Sequence, residues 1–274
     1  MTMLTEFGRD IWIADGPNVS VAGFHYHTRM AVMRLPDQSL FVWSPTKITE
    51  SLREAVDAVG QVRHIVAPNS LHHLFLPEWK RAYPGAKLHA PPGLRQRRAD
   101  ISFDTDLGDV PNADWAGQID QVQVRGNLIT TEVVFFHAES RTVLFTDLLQ
   151  QIPSHLLSGW RATVAKLDRM VGPEPSVPYK FRIAFANRRV AREALTRVLA
   201  WPAEKVLMAH GTPIETDASA FFAARICVAE PLSGRSEAAG LAALAHEIVI
   251  PSRNKPAPPP ITSSEAQFRA QGEA

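Results

Sequence analysis

Two adjacent histidines, His72 and His73, follow the β-branched run Val62-Arg63-His64-Ile65-Val66-Ala67, with only the small turn Pro68-Asn69-Ser70-Leu71 between. Asp147 closes the run Val143-Leu144-Phe145-Thr146, and His210 closes Lys205-Val206-Leu207-Met208-Ala209. Neutral imidazole nitrogens and carboxylate oxygens are the donors that a borderline metal such as zinc accepts, and a hydrolytic site keeps one position open for water. His72, His73, Asp147 and His210 form such a donor set if the three segment ends meet in space. Six other histidines, His25, His27, His64, His89, His155 and His246, read as surface or core-edge residues.

The elements that must deliver these side chains follow from periodicity. Each donor follows a short strand-like run, and the carboxyl ends of strands are where α/β sheets gather loops around a crevice. Leu71, Leu74, Phe75, Trp79 and Ala82 have helical spacing, with Pro84-Gly85 as the stop. That predicts a helix from the turn to about Tyr83, with both histidines in or beside its first turn. A helix N-terminus disfavours imidazolium, so both would stay available to a metal.

Elsewhere, Ile11–Ala14 reads as a strand, and residues 30–35 and 40–43 as a hairpin around Pro36-Asp37-Gln38-Ser39. Thr49 can cap a helix bearing Leu52, Ala55, Val56 and Val59, which Gly60 ends. Residues 87–90 add a strand, and the signal then weakens into charged turns until strands return at 122–124, 132–136 and 142–145. A helical excursion at 154–171, an amphipathic helix at 188–201, a strand at 205–209 and a helix near 218–228 complete the chain.

At 274 residues, 45% hydrophobic and 21% charged, the chain can bury one large core, and one domain over residues 1–250 is expected. The Pro-rich segment 251–274 cannot repay its ordering entropy and is expected to be disordered. A net charge of +1 calls for neither nucleic acid nor an anionic membrane. The basic run Arg95-Gln96-Arg97-Arg98 reads as a solvated helix end. The single cysteine, Cys227, excludes an internal disulfide and a Cys-rich zinc site. With no apolar signal core and no run of membrane-spanning length, the expected address is the cytoplasm. The chain has no Gly-x-Gly-x-x-Gly, phosphate-cradling loop or Gly-x-Ser-x-Gly elbow, which argues against nucleotide chemistry and serine hydrolysis.

The Leu-Phe-Thr-Asp147-Leu-Leu and Leu-Met-Ala-His210-Gly segments resemble the metallo-β-lactamase superfamily. Arg29-Met30, Ser44-Pro45, Ala67-Pro68-Asn69 with His72-His73, Pro84-Gly85-Ala86 and Ala209-His210-Gly211 resemble its DUF4336 branch, over roughly residues 8–230. The resemblance implies an α/β fold, a four-layer αββα sandwich with the site where the two sheets meet. Laid on this chain, the superfamily motif His-x-His-x-Asp-His puts its first two histidines on Pro68 and Ser70, its aspartate on His72 and its last histidine on His73. The next ligand histidine falls on Asn127 after Gly126, the bridging aspartate on Asp147 and the final histidine on His210. Three ligands of one metal are missing, while every position of the second still holds a donor.

Two readings follow from that asymmetry. In the first, one divalent metal, zinc before iron or manganese, is held by His72, His73, Asp147 and His210, and its bound water attacks an ester, lactone or thioester. Asp147 and Asn127 would act in catalysis there, Asn127 with Asn69 orienting substrate or an oxyanion. In the second, no metal binds, and the same crevice of a non-catalytic member takes a small molecule or a protein. A metal-free acid–base pairing of His137 and Glu139 with Asp147 ranks third, because His137 is expected far from the site. The expected partner is a small-molecule substrate, and an edge strand or the excursion at 154–171 could support a homodimer.

Overall fold

The structure, a computed structural model, describes residues 3–225 except 22–23, 155–156 and 173. These fall within one unit spanning residues 1–231. The tail at 251–274 and Cys227, His155 and His246 lie outside the described residues.

The chain runs β1 (Thr5–Gly8), β2 (Ile11–Asp15), β3 (Val19–Val21), β4 (Phe24–Tyr26), β5 (Arg29–Arg34), β6 (Ser39–Trp43), α1 (Glu50–Val59), β7 (Gln61–Val66), α2 (Leu76–Ala82), β8 (Lys87–Ala90), α3 (Leu94–Arg97) and β9 (Thr105–Asp106). It continues as β10 (Ile119–Val124), β11 (Glu132–His137), β12 (Thr142–Phe145), α4 (Trp160–Leu167), α5 (Tyr179–Ile183), α6 (Arg188–Leu199), β13 (Lys205–Met208) and α7 (Ala218–Arg225). One sheet is ordered β1-β2-β5-β6-β7-β8-β9, the other β10-β11-β12-β13, and β3-β4 is a separate ribbon.

Strict alternation along the strands sorts the side chains into layers. Phe41 and Trp43 of β6, Ala31 and Met33 of β5, Val133 and Phe135 of β11, Leu144 and Leu207 share the core between the sheets. Val32 and Val42 point the other way, onto Leu52 and Val56 of α1 and Leu76 and Trp79 of α2. Val134, Phe136, Val143 and Phe145 pack on Phe181 of α5 and Ala191, Ala194, Leu195 and Val198 of α6. The result is the expected helix–sheet–sheet–helix sandwich. As predicted, β5 and β6 pair antiparallel and Thr49 Oγ1 accepts from Leu52 N–H at 3.2 Å to cap α1. β6, β7 and β8 are parallel, and β12 pairs parallel with β13.

Three features depart from the sequence reading. Residues 69–75 are turns, and α2 starts only at Leu76. The charged region after β8 contains α3 and β9. The stretch after β2 folds into the β3-β4 hairpin, whose strands are three residues each, too short to display a period. Among the described residues no helix is long and apolar enough to cross a membrane.

Candidate metal centre

β7 in one sheet and β12 and β13 in the other lead into the loops that carry Asn69 and His72, Asp147, and His210, and the last three side chains converge. At the first corner the Asn69 side chain takes over the role of a helix start. Its Oδ1 accepts the N–H groups of Leu71 at 2.8 Å and His72 at 3.3 Å. An Asx turn of this kind competes with helix formation, and Pro77 suits only the first turn of a helix, so α2 begins late. Both histidines therefore lie outside the helix, and side-chain partners surround them instead.

Asp147 lies between two imidazoles. Its Oδ2 is 3.2 Å from Nε2 of His72 and its Oδ1 is 3.7 Å from Nε2 of His210. Among the described residues, this trio brings its ligand atoms within 4.8 Å of one another. Asp147 and His210 are buried and His72 nearly so. Side-chain amides fix the carboxylate: Asn69 Nδ2 donates to Oδ2 at 2.7 Å and Gln150 Nε2 to Oδ1 at 2.8 Å. Beneath it, buried Glu132 accepts the backbone N–H groups of Thr146, Asp147 and Leu148 at 2.7, 2.8 and 2.9 Å. One strand's first residue thus moulds the loop leaving its neighbour.

Arg29 performs the same service for His210. Its Nη1 donates to the carbonyls of Met208, at 3.1 Å, and Gly211, bracketing the histidine, while its Nε is anchored on Asp15 at 2.6 Å.

The outer nitrogens decide what the inner ones offer. Nδ1 of His210 lies 2.6 Å from the His27 carbonyl, which can only accept, so Nδ1 carries the proton and Nε2 presents a lone pair. Burial first, then the charge of His72, pushes the His210 pKa down to about 4 against the pull of Asp147. At neutral pH a lone pair therefore faces a carboxylate oxygen. His72 Nδ1 meets Ser44 Oγ at 2.8 Å, and that hydroxyl lies 3.2 Å from the Arg29 carbonyl. With the hydroxyl donating to the carbonyl, Nδ1–H donates to Ser44 and His72 Nε2 is a lone pair as well.

Asp147 is ionised in this setting. Burial alone raises its pKa, but the imidazoles of His72 and His210 in their protonated forms and the Asn69 amide hold it well below the carboxylate range. At pH 7 the Asp147 carboxylate is therefore ionised while the His210 imidazole is neutral. Two ligands of one tetrahedral zinc, each at about 2.1 Å, sit roughly 3.4 Å apart, and one ligand atom from each of His72, Asp147 and His210 lies within 4.8 Å of the others. Burial and the Asp147 charge raise the Glu132 pKa against the three N–H donors.

His73 does not join the trio. Arg98 Nη1 donates to its Nδ1 at 2.7 Å while gripping Asp100 through Nε and Nη2, both at 2.7 Å. Burial, then Arg98, lowers its pKa to about 4. His73 is expected to share the ion with its neighbour; among the described residues its Nδ1 is engaged by Arg98, which puts a positive charge beside it, and it is not in the trio. Asn127 is also occupied: Nδ2 donates to the Phe181 carbonyl at 2.8 Å and Oδ1 accepts from Ile129 N–H at 2.9 Å. It fastens its loop to α5. Ser70 is hydrogen-bonded to Thr130 at 3.1 Å. His137 lies at the far end of β11 from Glu132, as expected.

Sequence reasoning missed Glu132, Gln150 and the supporting roles of Ser44 and Arg29. The last two had a signal in the Arg29-Met30 and Ser44-Pro45 pairs; Glu132 had none, since a polar first residue of a strand ordinarily faces water.

Residues 9–169 match the family described as a domain of unknown function, DUF4336. No curated protein matches. Solved structures share the fold at low identity. The DIM-1 metallo-β-lactamase exposed to ceftazidime is 16% identical, with 77% of this chain and 90% of that one covered and a TM-score of 0.54. A metallo-β-lactamase from Pontibacter korlensis is 13% identical, with 80% and 94% covered and a TM-score of 0.54. The metallo-β-lactamase FIM-1 from Pseudomonas aeruginosa, in its mono-zinc form, is 10% identical, with 78% and 89% covered and a TM-score of 0.54.

Proposed function

The chain belongs to the DUF4336 family, and we propose that it works as a mononuclear metal-dependent hydrolase in which His72, Asp147 and His210 hold the ion. One observation carries this reading: the Nδ1 proton of His210 is committed to a backbone carbonyl, so its Nε2 lone pair faces the Asp147 carboxylate across 3.7 Å. Such a gap is unfavourable when empty and favourable around a cation. Two imidazoles and a carboxylate suit zinc, with iron and manganese next. A divalent ion bound there supplies Lewis acidity and a water that ionises near neutral pH.

The chain's own residues supply the rest. Asn69 and Gln150 fix both carboxylate oxygens, Ser44 and the His27 carbonyl fix the imidazoles, and Glu132 fixes the loop. Positioning of this kind tunes affinity and keeps a reacting group in line. Pro68 has no donor atom and Ser70 is engaged with Thr130, which supports one ion and not two. The substrate proposed is an ester, lactone or thioester, small enough to reach a centre whose ligands are buried. That FIM-1 has been obtained in a mono-zinc form supports a single-ion centre in this fold.

A metal-free binding protein is the second reading, favoured by the 3.2 Å His72–Asp147 contact, which also accommodates an N–H donating to the carboxylate if Ser44 donates into Nδ1. Elemental analysis of protein purified without chelators separates the two. The expected result is about one ion per chain, lost in Asp147→Ala and His210→Ala but kept in His73→Ala, with turnover of activated esters following the ion. Wild-type protein that arrives metal-free and cannot be reloaded ends the hydrolase reading.

A further inference from the structure

Next to the centre stands an ammonium shared between a hydroxyl, a carboxylate and a thioether sulfur. Lys180, the second residue of α5, has a side chain only 26% exposed. Its Nζ donates to the Tyr26 hydroxyl oxygen at 3.0 Å, touches Met170 Sδ at 3.1 Å and stands 3.5 Å from Asp168 Oδ2. The other Asp168 oxygen accepts the Lys180 backbone N–H at 2.7 Å. An ammonium has three protons and no acceptor, and away from water it needs oxygen; a thioether is a weak substitute.

The hydroxyl is in the same position. Because its oxygen accepts from the ammonium, the Tyr26 proton points elsewhere, and the acceptor it meets is again Met170 Sδ, at 3.7 Å. Two strong donors therefore converge on one soft sulfur atom. Methionine is unbranched and adaptable, and Met170 is buried among Ile152, Leu157 and Ala165, so shifting it is the cost that an anion's two bonds must exceed.

The location ties the pair to the centre. The Tyr26 ring packs edge-on against the His210 imidazole, centroids 5.4 Å apart at 61°. The residue after Tyr26 is His27, whose carbonyl holds His210. The ribbon that sets a metal ligand thus also brings a hydroxyl to its flank.

We propose that the Tyr26 hydroxyl and the Lys180 ammonium form an anion-accepting subsite beside the centre, so that the substrate is an ester, lactone or thioester that also carries a carboxylate or phosphate. The anionic oxygen takes the place of Met170 Sδ, accepting from O–H and N⁺–H together, and charge-assisted bonds of this type are about twice as strong as neutral ones. This rests on the hydrolase reading only for what happens at the other end of the molecule.

The test uses the full chain stripped of metal, titrated by calorimetry near pH 7 with phenyl phosphate, benzoate and, as the neutral control, benzyl alcohol. At least one of the two anions is expected to bind saturably and benzyl alcohol to bind at least tenfold more weakly; the preferred anion identifies the acidic group. Tyr26→Phe, which keeps the ring against His210, is expected to weaken that anion tenfold or more. The double variant Lys180→Met with Asp168→Asn, which leaves no buried carboxylate unpaired, is expected to abolish binding; should it not fold, Tyr26→Phe decides alone. No saturable binding of either anion to the wild type, an unchanged affinity in Tyr26→Phe, or benzyl alcohol binding as well as the anions overturns the subsite. Because no metal or turnover is involved, such a failure leaves the hydrolase reading untouched. A chain that binds the anion yet never turns over an ester leaves the subsite standing and removes the hydrolase.

Discussion

Ser44 has one hydroxyl proton, and where that proton goes decides which nitrogen of His72 is free. Donation to the Arg29 carbonyl leaves the oxygen to accept from Nδ1–H, and Nε2 is then a ligand. Ser44 adopts φ of 50°, a left-handed conformation uncommon for a residue with a Cβ, and its N–H is pinned to the Val66 carbonyl at 3.0 Å. Alanine tolerates that backbone about as well as serine does but removes the hydroxyl. Outer partners of metal-ligating histidines typically carry about 10–100-fold in affinity. Ser44→Ala is therefore expected to weaken zinc binding by about that factor in competition against a chromophoric chelator, whereas His73→Ala, at a nitrogen already taken by Arg98, should change it less than about threefold. Equal losses in the two variants would contradict the assignment of ligands.

Strands deliver the centre, and what they share is the link from the start of β11 to the loop after β12. Glu132 uses both oxygens on three backbone N–H groups, so Glu132→Gln turns an acceptor into an NH₂ facing a donor. Leaving buried donors unsatisfied costs about 1–3 kcal/mol each way, and a loss of roughly that size in urea unfolding is expected, together with loss of bound metal because Asp147 rides on the same loop. A variant that keeps full stability and one ion per chain would show that the loop holds its shape without the glutamate. This element also marks the limit of reading the chain unaided. Apolar, β-branched runs bounded by turn residues made β5, β6, β7, β11, β12 and β13 legible, and with them the strand ends that carry His72, Asp147 and His210, even though most of these strands are buried on both faces. Buried Glu132 was illegible because its value comes from N–H groups on another strand. The start of α2 was misplaced for a local reason: apolar spacing at 71–75 looks helical, but Asn69 claims those amides first. Tyr26 and Lys180 are 154 residues apart and meet only through the fold.

At the scale of the whole molecule, the sandwich buries imidazoles that play no part at the centre, and these govern how stability follows pH. His64 and His89 share a contact of 3.1 Å between Nδ1 and Nε2, with Trp115 edge-on to both rings at 5.2 and 5.0 Å. His137 is fully buried, with Nδ1 on Ser140 at 2.8 Å and no hydrogen-bond partner for Nε2 among the described residues. Burial lowers all three below the ordinary 6.5, His89 to about 3 and His137 to about 4. Between those values and 6.5 the unfolded chain binds more protons than the folded one, so stability rises with pH in that window. The contribution is complete above about pH 6.5 and is lost as pH falls, at up to about 1.4 kcal/mol per unit for each imidazole. Glu132 and Asp168, raised by burial, act in the opposite sense over part of the window, and His210 in the metal-free chain acts in the same sense, so a difference between two chains is the clean measurement. His137→Asn keeps a polar atom near Nδ1 for Ser140 and removes the titration. Although less stable overall, it is expected to lose less urea stability than the wild type between pH 6.5 and 4.5 with chelator present, the two curves converging by about 1–2 kcal/mol. Parallel curves would mean that His137 is protonated in the fold as readily as out of it, and that the orphaned nitrogen has found a partner.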